Sequence, residues 1–407
     1  MKNGSKLVRV LIVGMIVLAA TLCASAASVS ARSSHPRAKS SRITENARVQ
    51  KRLSQQRHSR RLVRASVRTG THRRFSEHFA TSSFADDQTF GDVAAGEDPI
   101  VRRAAIDALG NMNGTVVAID PSDGRILAMV NQRLALSAGA IPCSTIKVPV
   151  ALAALSENLV TKDSMVMLSK HWGMTLTQAL AHSNNAYFET VGRRLGFEKY
   201  SYYAHQFGLG ELAGWDIPGE HLGTFPSTPL EEKLGGVGKM CSFGESISMT
   251  PLQLGALLAA IANGGTLYYL QHPTSLDELV SFQPRVKRHL DIGPLVPQIA
   301  EGMAGAVQYG TARSLRWSFS EEPVLGKTGT CSNNAGTRYG WFGSFANTEF
   351  GRIVVVVFLQ GGRPTFGPKA AELTGHFYRN LEDNNFFDSK PTLKPASTAG
   401  MDNIGLH

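Results

Sequence analysis

The stretch Val324-Leu325-Gly326-Lys327-Thr328-Gly329-Thr330 begins the part of the chain in which strand-forming patterns replace helical ones. Two further runs with β-rich composition follow, Gly340 to Ala346 and Arg352 to Leu359, and a helical pattern covers Ala370 to Leu381. Strands are indicated by short runs of β-branched and aromatic residues between turn residues. We therefore expect three consecutive strands and a final helix.

The beginning of the folded region carries a second set of strand signals. The range Asp98 to Gly110 has the signals of a helix: an N-cap aspartate, a proline in the first turn and a glycine at the end. The runs Thr115 to Asp120 and Arg125 to Val130 then flank the turn Pro121-Ser122-Asp123-Gly124. This arrangement predicts a β-hairpin.

Between these two sets, from Ser144 to about Leu258, the pattern is chiefly helical, with breaks rich in glycine and proline. Strands from both ends of the folded region can pair when the helices between them form an insertion. This order of strand and helix patterns along the chain predicts an α+β fold, with an antiparallel sheet flanked by helices and an inserted all-helical subdomain.

The net charge of +10 is unevenly distributed over the 407 residues. Residues 1–77 contain 17 of the 42 basic residues and 2 of the 32 acidic ones, which leaves 25 basic and 30 acidic residues for the remainder. The folded region is thus mildly acidic. The 43% of hydrophobic residues suffice for a sizeable core there.

The first 31 residues have the features of an export signal. Lys2, Lys6 and Arg9 precede an uncharged run from Val10 to Ala31, and Ala24-Ser25-Ala26 offers a cleavage site. The same run is long enough to span a bilayer. We predict that residues 1–31 are a signal peptide or membrane anchor, and that the protein is exported to the periplasm or the outer face of the cytoplasmic membrane.

The next segment, residues 32–97, is rich in serine, arginine and glutamine and is predicted to be a basic disordered linker. Contact with the membrane or with an anionic wall polymer is one role for its charge. No nucleic-acid partner is expected, because an exported protein meets little nucleic acid. Residues 98–387 are the predicted catalytic domain, and residues 388–407 a flexible tail.

No metal or other cofactor is predicted. The twelve histidines include no HExxH or similar cluster. Once the signal is removed, Cys143, Cys241 and Cys331 remain, without the spacing of metal ligands, and at least one of them must be unpaired. The sequence leaves open whether Cys143 and Cys331 form a bridge.

Three short motifs carry candidate chemistry. In Ser144-Thr145-Ile146-Lys147, a helix would place the hydroxyl and the amine on one face, where a neutral lysine can activate the serine. Pro149 places the start of that helix close to Ser144. Taken alone, such a pair is more often a helix-capping serine followed by a surface lysine. The motifs Ser183-Asn184-Asn185 and Lys327-Thr328-Gly329-Thr330 follow in order, and the conjunction is specific.

With these motifs, residues 98–382 resemble the transpeptidase domain of penicillin-binding proteins, within the superfamily of serine β-lactamases and D-alanyl-D-alanine peptidases. The resemblance extends to further segments: Gly114 to Val130, Ser183 to Phe188, Phe207 to Gly210, Ile217 to Glu220, Met249 to Leu254, Ala262 to Gly265, Gly310 to Ala312 and Trp341-Phe342.

The resemblance implies a DD-transpeptidase or DD-carboxypeptidase that acts on D-alanyl-D-alanine stem peptides of peptidoglycan through a Ser144 acyl-enzyme. It implies β-lactams as covalent inhibitors. The implied catalytic residues are the nucleophile Ser144, its base Lys147, the proton relay Ser183, the orienting Asn185 and the cationic Lys327. The implied substrate-binding residues are Thr328, Gly329 and Thr330, with the backbone amides of Ser144 and Thr330 as the oxyanion hole.

Other functions remain open at this point. A serine β-lactamase, for instance one similar to class D, would share the fold and most motifs, although no convincing deacylating glutamate is recognisable. A β-lactam sensor or a non-catalytic module that binds peptidoglycan would keep the fold without turnover. Retention of every motif residue argues against the non-catalytic module.

Overall fold

The structure, a computed structural model, describes residues 81–321, 323–348 and 351–387. The predicted signal or anchor, most of the predicted linker and the predicted tail lie outside the described residues. Among the residues that are described, no helix is both long enough and apolar enough to cross a membrane.

Eleven α-helices are formed by the described residues, with four 3-10 turns between them. The helices are α1 (Pro99–Leu109), α2 (Gln132–Ala135), α3 (Lys147–Ser156), α4 (Leu176–Ala181), α5 (Asn185–Leu195), α6 (Phe197–Gln206), α7 (Gly236–Phe243), α8 (Pro251–Ala262), α9 (Leu276–Val280), α10 (Val296–Gln308) and α11 (Gly367–Asp383). The 3-10 turns are Cys143–Ile146, Glu232–Leu234, Gly293–Leu295 and Arg313–Trp317.

The nine strands of this part of the chain are β1 (Gly114–Ile119), β2 (Ile126–Val130), β3 (Val166–Ser169), β4 (Trp172–Met174), β5 (Thr266–Tyr268), β6 (Val286–His289), β7 (Val324–Ser332), β8 (Arg338–Thr348) and β9 (Gly351–Gly361). Five of them form one sheet in the order β2-β1-β9-β8-β7, and the other four form two separate pairs. Every pairing between two of these strands is antiparallel. The predicted α+β fold is confirmed.

The strands predicted from the two ends of the folded region lie together in one sheet, as expected. Asp98 accepts hydrogen bonds from the backbone amides of Ile100 and Val101 and so caps α1. The hairpin of β1 and β2 forms around the predicted turn, and β1 pairs on its other side with β9 from the chain's end. The insertion is not wholly helical, because β3 and β4 form a small hairpin within it.

The sheet is buried on both faces, since its side chains alternate between two hydrophobic clusters. Val117 and Val356 belong to the cluster shared with the helical subdomain, and Val116 and Val357 to the cluster formed with α1 and α11. Helix α8 is buried at every position, as expected for a central helix that contacts β8 and β9. Each fully buried large aliphatic side chain contributes about 1.5–3 kcal/mol.

The predicted linker of residues 32–97 extends too far. Residues 81–97 belong to the folded domain, because Phe84 pairs with Met112 and because Glu97 is buried. The Glu97 carboxylate lies 2.8 Å from both an Arg102 guanidinium nitrogen and His272 Nε2. The polar composition of this segment indicated a linker. The contacts of Glu97 could not be predicted from it, because one partner lies on α1 and the other in a loop far along the chain.

Candidate active site

Ser144 lies in the 3-10 turn Cys143–Ile146, which runs directly into α3. The α-helix itself therefore starts at Lys147, three residues later than a start at the serine. Cys143 has φ of 53°, in the left-handed region that residues with a Cβ rarely adopt. Thr145 donates its hydroxyl to the Pro142 carbonyl at 2.6 Å and holds the turn from within. Backbone strain of this kind concentrates at functional sites.

Lys147 is fully buried, and its Nζ lies among four oxygen atoms. The Ser144 hydroxyl is 2.9 Å away and the Asn185 Oδ1 2.5 Å. Ser183 provides the other two, its carbonyl oxygen at 2.8 Å and its hydroxyl at 3.1 Å. The amine thus joins the serine motif to the serine-asparagine motif.

The chemistry of these four neighbours suits a neutral amine. The Ser183 carbonyl and the Asn185 Oδ1 can only accept, so they take both protons of an uncharged –NH₂ group. Its lone pair then remains for a hydroxyl, and Ser144 can donate to it. Burial lowers the pKa of Lys147 to about 7, while the negative charge of Glu189 opposes the shift.

Ser183 lies in the short connection between α4 and α5, and its φ of 56° turns the chain there. Asn184 caps α5 by accepting a hydrogen bond from the Tyr187 amide at 2.9 Å. Asn185 is consequently the first residue of α5, and its side chain reaches Lys147. Asn184 is therefore a helix cap, whereas its neighbours Ser183 and Asn185 contact the buried lysine.

Lys327 is buried on β7, one of the two edge strands of the large sheet. Its Nζ donates to the Ser183 hydroxyl at 2.8 Å and to the Thr328 carbonyl at 3.1 Å. Two residues on, Gly329 faces the 3-10 turn Cys143–Ile146, called the nucleophile turn because it carries the candidate nucleophile Ser144. A Cβ at this position would lie 2.8 Å from the Pro142 carbonyl oxygen. Only a glycine lets the strand approach the turn this closely.

The pKa of Lys327 is lowered well below its ordinary value, first by burial and then by the nearby charge of Lys147. Since both lysines contact Ser183, their ammonium forms repel each other across one hydroxyl. The state with one ammonium group and one neutral amine is therefore favoured over the state with two ammonium groups. A cationic Lys327 beside a neutral Lys147 is one such state.

Thr328 and Thr330 lie on the other face of β7 from Lys327, as strand alternation requires. The Thr328 hydroxyl is 2.7 Å from that of Thr311, and Thr330 accepts a hydrogen bond from the Gly367 amide at 2.8 Å. Thr328 is buried, and Thr330 is exposed.

A disulfide joins Cys143 to Cys331, with the two Cα atoms 5.6 Å apart. It connects the residue before Ser144 to the residue after Thr330. Cys241 is free and buried. With its sulfur bonded to Cys331, Cys143 has no free thiol.

Two contributing residues were not assigned a role from the sequence. Glu189 lies one helical turn after Asn185 on α5, a spacing that places it on the same face toward Lys147. Thr311 belongs to the Gly310-Thr311-Ala312 segment, whose contact with Thr328 depends on how α10 packs against β7. The i,i+4 relation could have identified Glu189, but no local signal identified Thr311.

No group of three or more His, Cys, Asp or Glu side chains in the described ranges is arranged to hold a metal. The hydrogen-bond partners of Lys147 Nζ belong to Ser144, Ser183 and Asn185. Oxygen-rich cation sites are built instead around carboxylates.

The family model for the penicillin-binding protein transpeptidase domain matches residues 114–379, which include all three motifs. The chain belongs to this family.

Among curated relatives, Stage V sporulation protein D of Bacillus subtilis is 28% identical over 316 residues, or 65% of this chain and 48% of that protein. The chain thus spans about half the length of this relative. Peptidoglycan D,D-transpeptidase PbpA of Mycobacterium tuberculosis is 25% identical over 372 residues, or 73% of each chain. The solved D,D-transpeptidase domain of a peptidoglycan glycosyltransferase from Eggerthella lenta has a TM-score of 0.55 at 20% identity, covering 71% of this chain and 82% of that one. This likeness shows the fold.

Proposed function

We propose that this protein is a serine D,D-transpeptidase that acts on D-alanyl-D-alanine stem peptides of peptidoglycan through an acyl-enzyme on Ser144. The observation that supports it most is the buried Lys147 amine, which touches the hydroxyls of both Ser144 and Ser183. Family membership and the names of the relatives support the substrate class.

In the acylation step, Lys147 accepts the proton of Ser144 while Oγ forms a bond to the carbonyl carbon of the penultimate D-alanine. The carbonyl oxygen becomes an oxyanion. The backbone amides of Ser144 and Thr330 donate to it, and the loss of one such donor typically costs about 2.7–4 kcal/mol in the transition state.

Collapse of the tetrahedral intermediate breaks the peptide bond, and the departing amine of the terminal D-alanine needs a proton. Ser183 donates it and is resupplied from Lys147, which received one in the first step. The distance of 3.1 Å between Lys147 Nζ and Ser183 Oγ supports this relay.

The remaining motif residues orient the groups that react. Asn185 holds Lys147 and the substrate amide, and Lys327 polarises Ser183 and supplies positive potential. Thr328 and Thr330 bind the substrate carboxylate, while Gly329 lets β7 approach the nucleophile turn closely. Attack of an amine on the acyl-enzyme gives transpeptidation, and attack of water gives carboxypeptidation.

We further propose that the protein works outside the cytoplasm, in the periplasm or at the outer face of the cytoplasmic membrane. The charge pattern of residues 1–31 supports export. The Cys143–Cys331 disulfide supports it independently, because disulfides persist mainly in oxidising compartments. The basic residues 32–77 would then face anionic lipid or wall polymer, and cell fractionation checks the location.

Intact-mass spectrometry tests the proposed nucleophile. Penicillin should add one acyl group to the protein, and peptide mapping should locate it on Ser144. Ser144→Ala should abolish the adduct, and Ser169→Ala, at an exposed strand residue, should retain it. An adduct that survives Ser144→Ala would contradict the proposal.

The same protein with a D-alanyl-D-alanine peptide and an amine acceptor distinguishes the two reactions. Transpeptidation gives the cross-linked product, and carboxypeptidation gives only the shortened peptide and free D-alanine. Binding of the peptide with neither product would identify a non-catalytic module.

A further inference from the structure

We propose that the Cys143–Cys331 disulfide is a positioning element for acylation, which sets the spacing between the backbone amides of Ser144 and Thr330. This inference rests on the proposed acylation of Ser144. Neither cysteine touches the reacting atoms in the proposed reaction. The bond acts through the two neighbouring residues.

The disulfide lies directly beside both residues whose backbone amides form the proposed oxyanion hole. Cys143 directly precedes Ser144 and Cys331 directly follows Thr330, so the disulfide closes a link between two segments that are 188 residues apart in sequence. One segment is the 3-10 turn before α3, and the other is the end of an edge strand. The two amides of the proposed oxyanion hole come from these separate elements, so their spacing is a tertiary property.

Edge strand β7 pairs with β8 on one side only, and its other side meets the nucleophile turn. Two non-covalent contacts also hold the sheet against the chain that leads into this turn. Trp341 Nε1 donates to the Ile141 carbonyl at 3.0 Å, and Gly329 lies against Pro142. The turn-side residues of these two contacts, Ile141 and Pro142, lie just before Cys143 in the chain. The disulfide is a covalent link at Cys143 itself, the residue next to Ser144.

The backbone of Cys143 adds a second reason for this assignment. Its φ of 53° is unfavourable for a residue with a Cβ, and such a conformation persists when its surroundings hold it. The bond to Cys331 provides such a hold. Without it, the turn can relax and reorient the amide of Ser144, because the peptide plane that carries this amide joins Cys143 to Ser144.

An oxyanion hole requires both donors within hydrogen-bond distance of the oxygen in the transition state. A change in their spacing therefore slows acylation more than it weakens the first, non-covalent complex. Complete loss of one donor typically lowers the rate about 10²–10³-fold. We expect loss of the disulfide to lower the acylation rate constant at least tenfold.

The test compares oxidised and reduced protein. A dithiol such as dithiothreitol supplies two electrons and two protons, giving thiols at Cys143 and Cys331 and becoming a cyclic disulfide itself. Cys331 is partly exposed, so the reagent has access. Stopped-flow measurement with a fluorescent penicillin gives two quantities: the dissociation constant of the first complex and the acylation rate constant at saturation.

The matched variant is Cys143→Gly with Cys331→Ala. Glycine adopts positive φ without strain, so the turn can fold although the bond is absent. Reduced wild type and this variant should both show an acylation rate constant at least tenfold lower, with the dissociation constant changed less than twofold. Dithiothreitol should have no further effect on the variant, which controls for other actions of the reagent.

Equal acylation rate constants in oxidised and reduced protein would overturn the inference, as would a double variant that acylates like oxidised wild type. Near-UV circular dichroism at the assay temperature reports folding. Unfolding of both the reduced protein and the variant would make the bond a fold staple and overturn it too. If oxidised wild type forms no Ser144 adduct, the proposed function itself fails, and that result is distinguishable from these outcomes.

Discussion

Lys147 and Lys327 share one hydroxyl group, that of Ser183, which lies 3.1 Å from the first Nζ and 2.8 Å from the second. Both amines are buried, and none of the described carboxylates forms a hydrogen bond with either. Burial lowers both pKa values, and the nearby charge of Lys147 lowers that of Lys327 further. The two lysines differ in their other contacts, because only Lys147 also reaches Ser144.

Replacing each lysine by arginine should separate their roles. Lys147→Arg should remove penicillin acylation almost entirely, because a guanidinium does not lose its proton at working pH and cannot serve as the base. Lys327→Arg should retain part of the activity, since its proposed role is a positive charge. The second-order acylation constant of each variant measures this, and equal mild losses would contradict the proposed roles.

The pKa of Lys147, lowered to about 7, predicts the pH dependence of acylation. The base must be neutral, so the rate should rise about tenfold per pH unit below 7 and level off above it. The Glu189 charge raises the pKa of Lys147, so Glu189→Gln should move the midpoint to lower pH. This shift should weaken at high salt, because Glu189 is partly exposed.

Stopped-flow acylation rates at saturating penicillin, measured across the pH range, give the midpoint. Glu198→Gln is the matched control, since Glu198 is an exposed glutamate on the next helix. It should leave the midpoint unchanged. A profile that falls as pH rises through 7 would mean that the ammonium form of Lys147 is the active one.

The penicilloyl adduct should survive for minutes to hours, as in a penicillin-binding protein. Fast release would require a group that activates water beside the acyl-enzyme. Among the described side chains, no carboxylate forms a hydrogen bond with Ser144, Lys147 or Ser183. Intact-mass decay after removal of free drug measures the lifetime, and release within seconds would assign the protein to the β-lactamases.

Glu97→Ala should destabilise the domain by about 3–5 kcal/mol, because it removes the carboxylate that pairs with Arg102 and His272 in a buried cluster. The matched variant Asp107→Ala breaks an exposed pair with Arg103 on the same helix and should change stability by less than about 1 kcal/mol. Urea unfolding compares the two. Similar effects would mean that residues 81–97 add little to the fold.

The sequence by itself determined the fold class and the identity of the motif residues. Strand and helix patterns are local, so the hairpin at Thr115 to Val130 and the strands after Val324 could be read from composition and period. The motif residues could be named because their order along the chain is specific. Their catalytic roles stay predictions that the experiments above test.

Only the tertiary structure decided how these residues meet. The convergence of Lys147 and Lys327 on Ser183 depends on where β7 packs against the 3-10 turn Cys143–Ile146 and the connection before α5. The same packing brings Cys143 to Cys331 across 188 residues, a pairing that the spacing had left open. It also makes Glu97 a buried residue of the domain, although local composition indicated a linker. The physical reason is common to all three. Sequence patterns report interactions between near neighbours. The burial that lowers a pKa and the proximity that lets two cysteines form a disulfide both depend on elements that are distant in sequence.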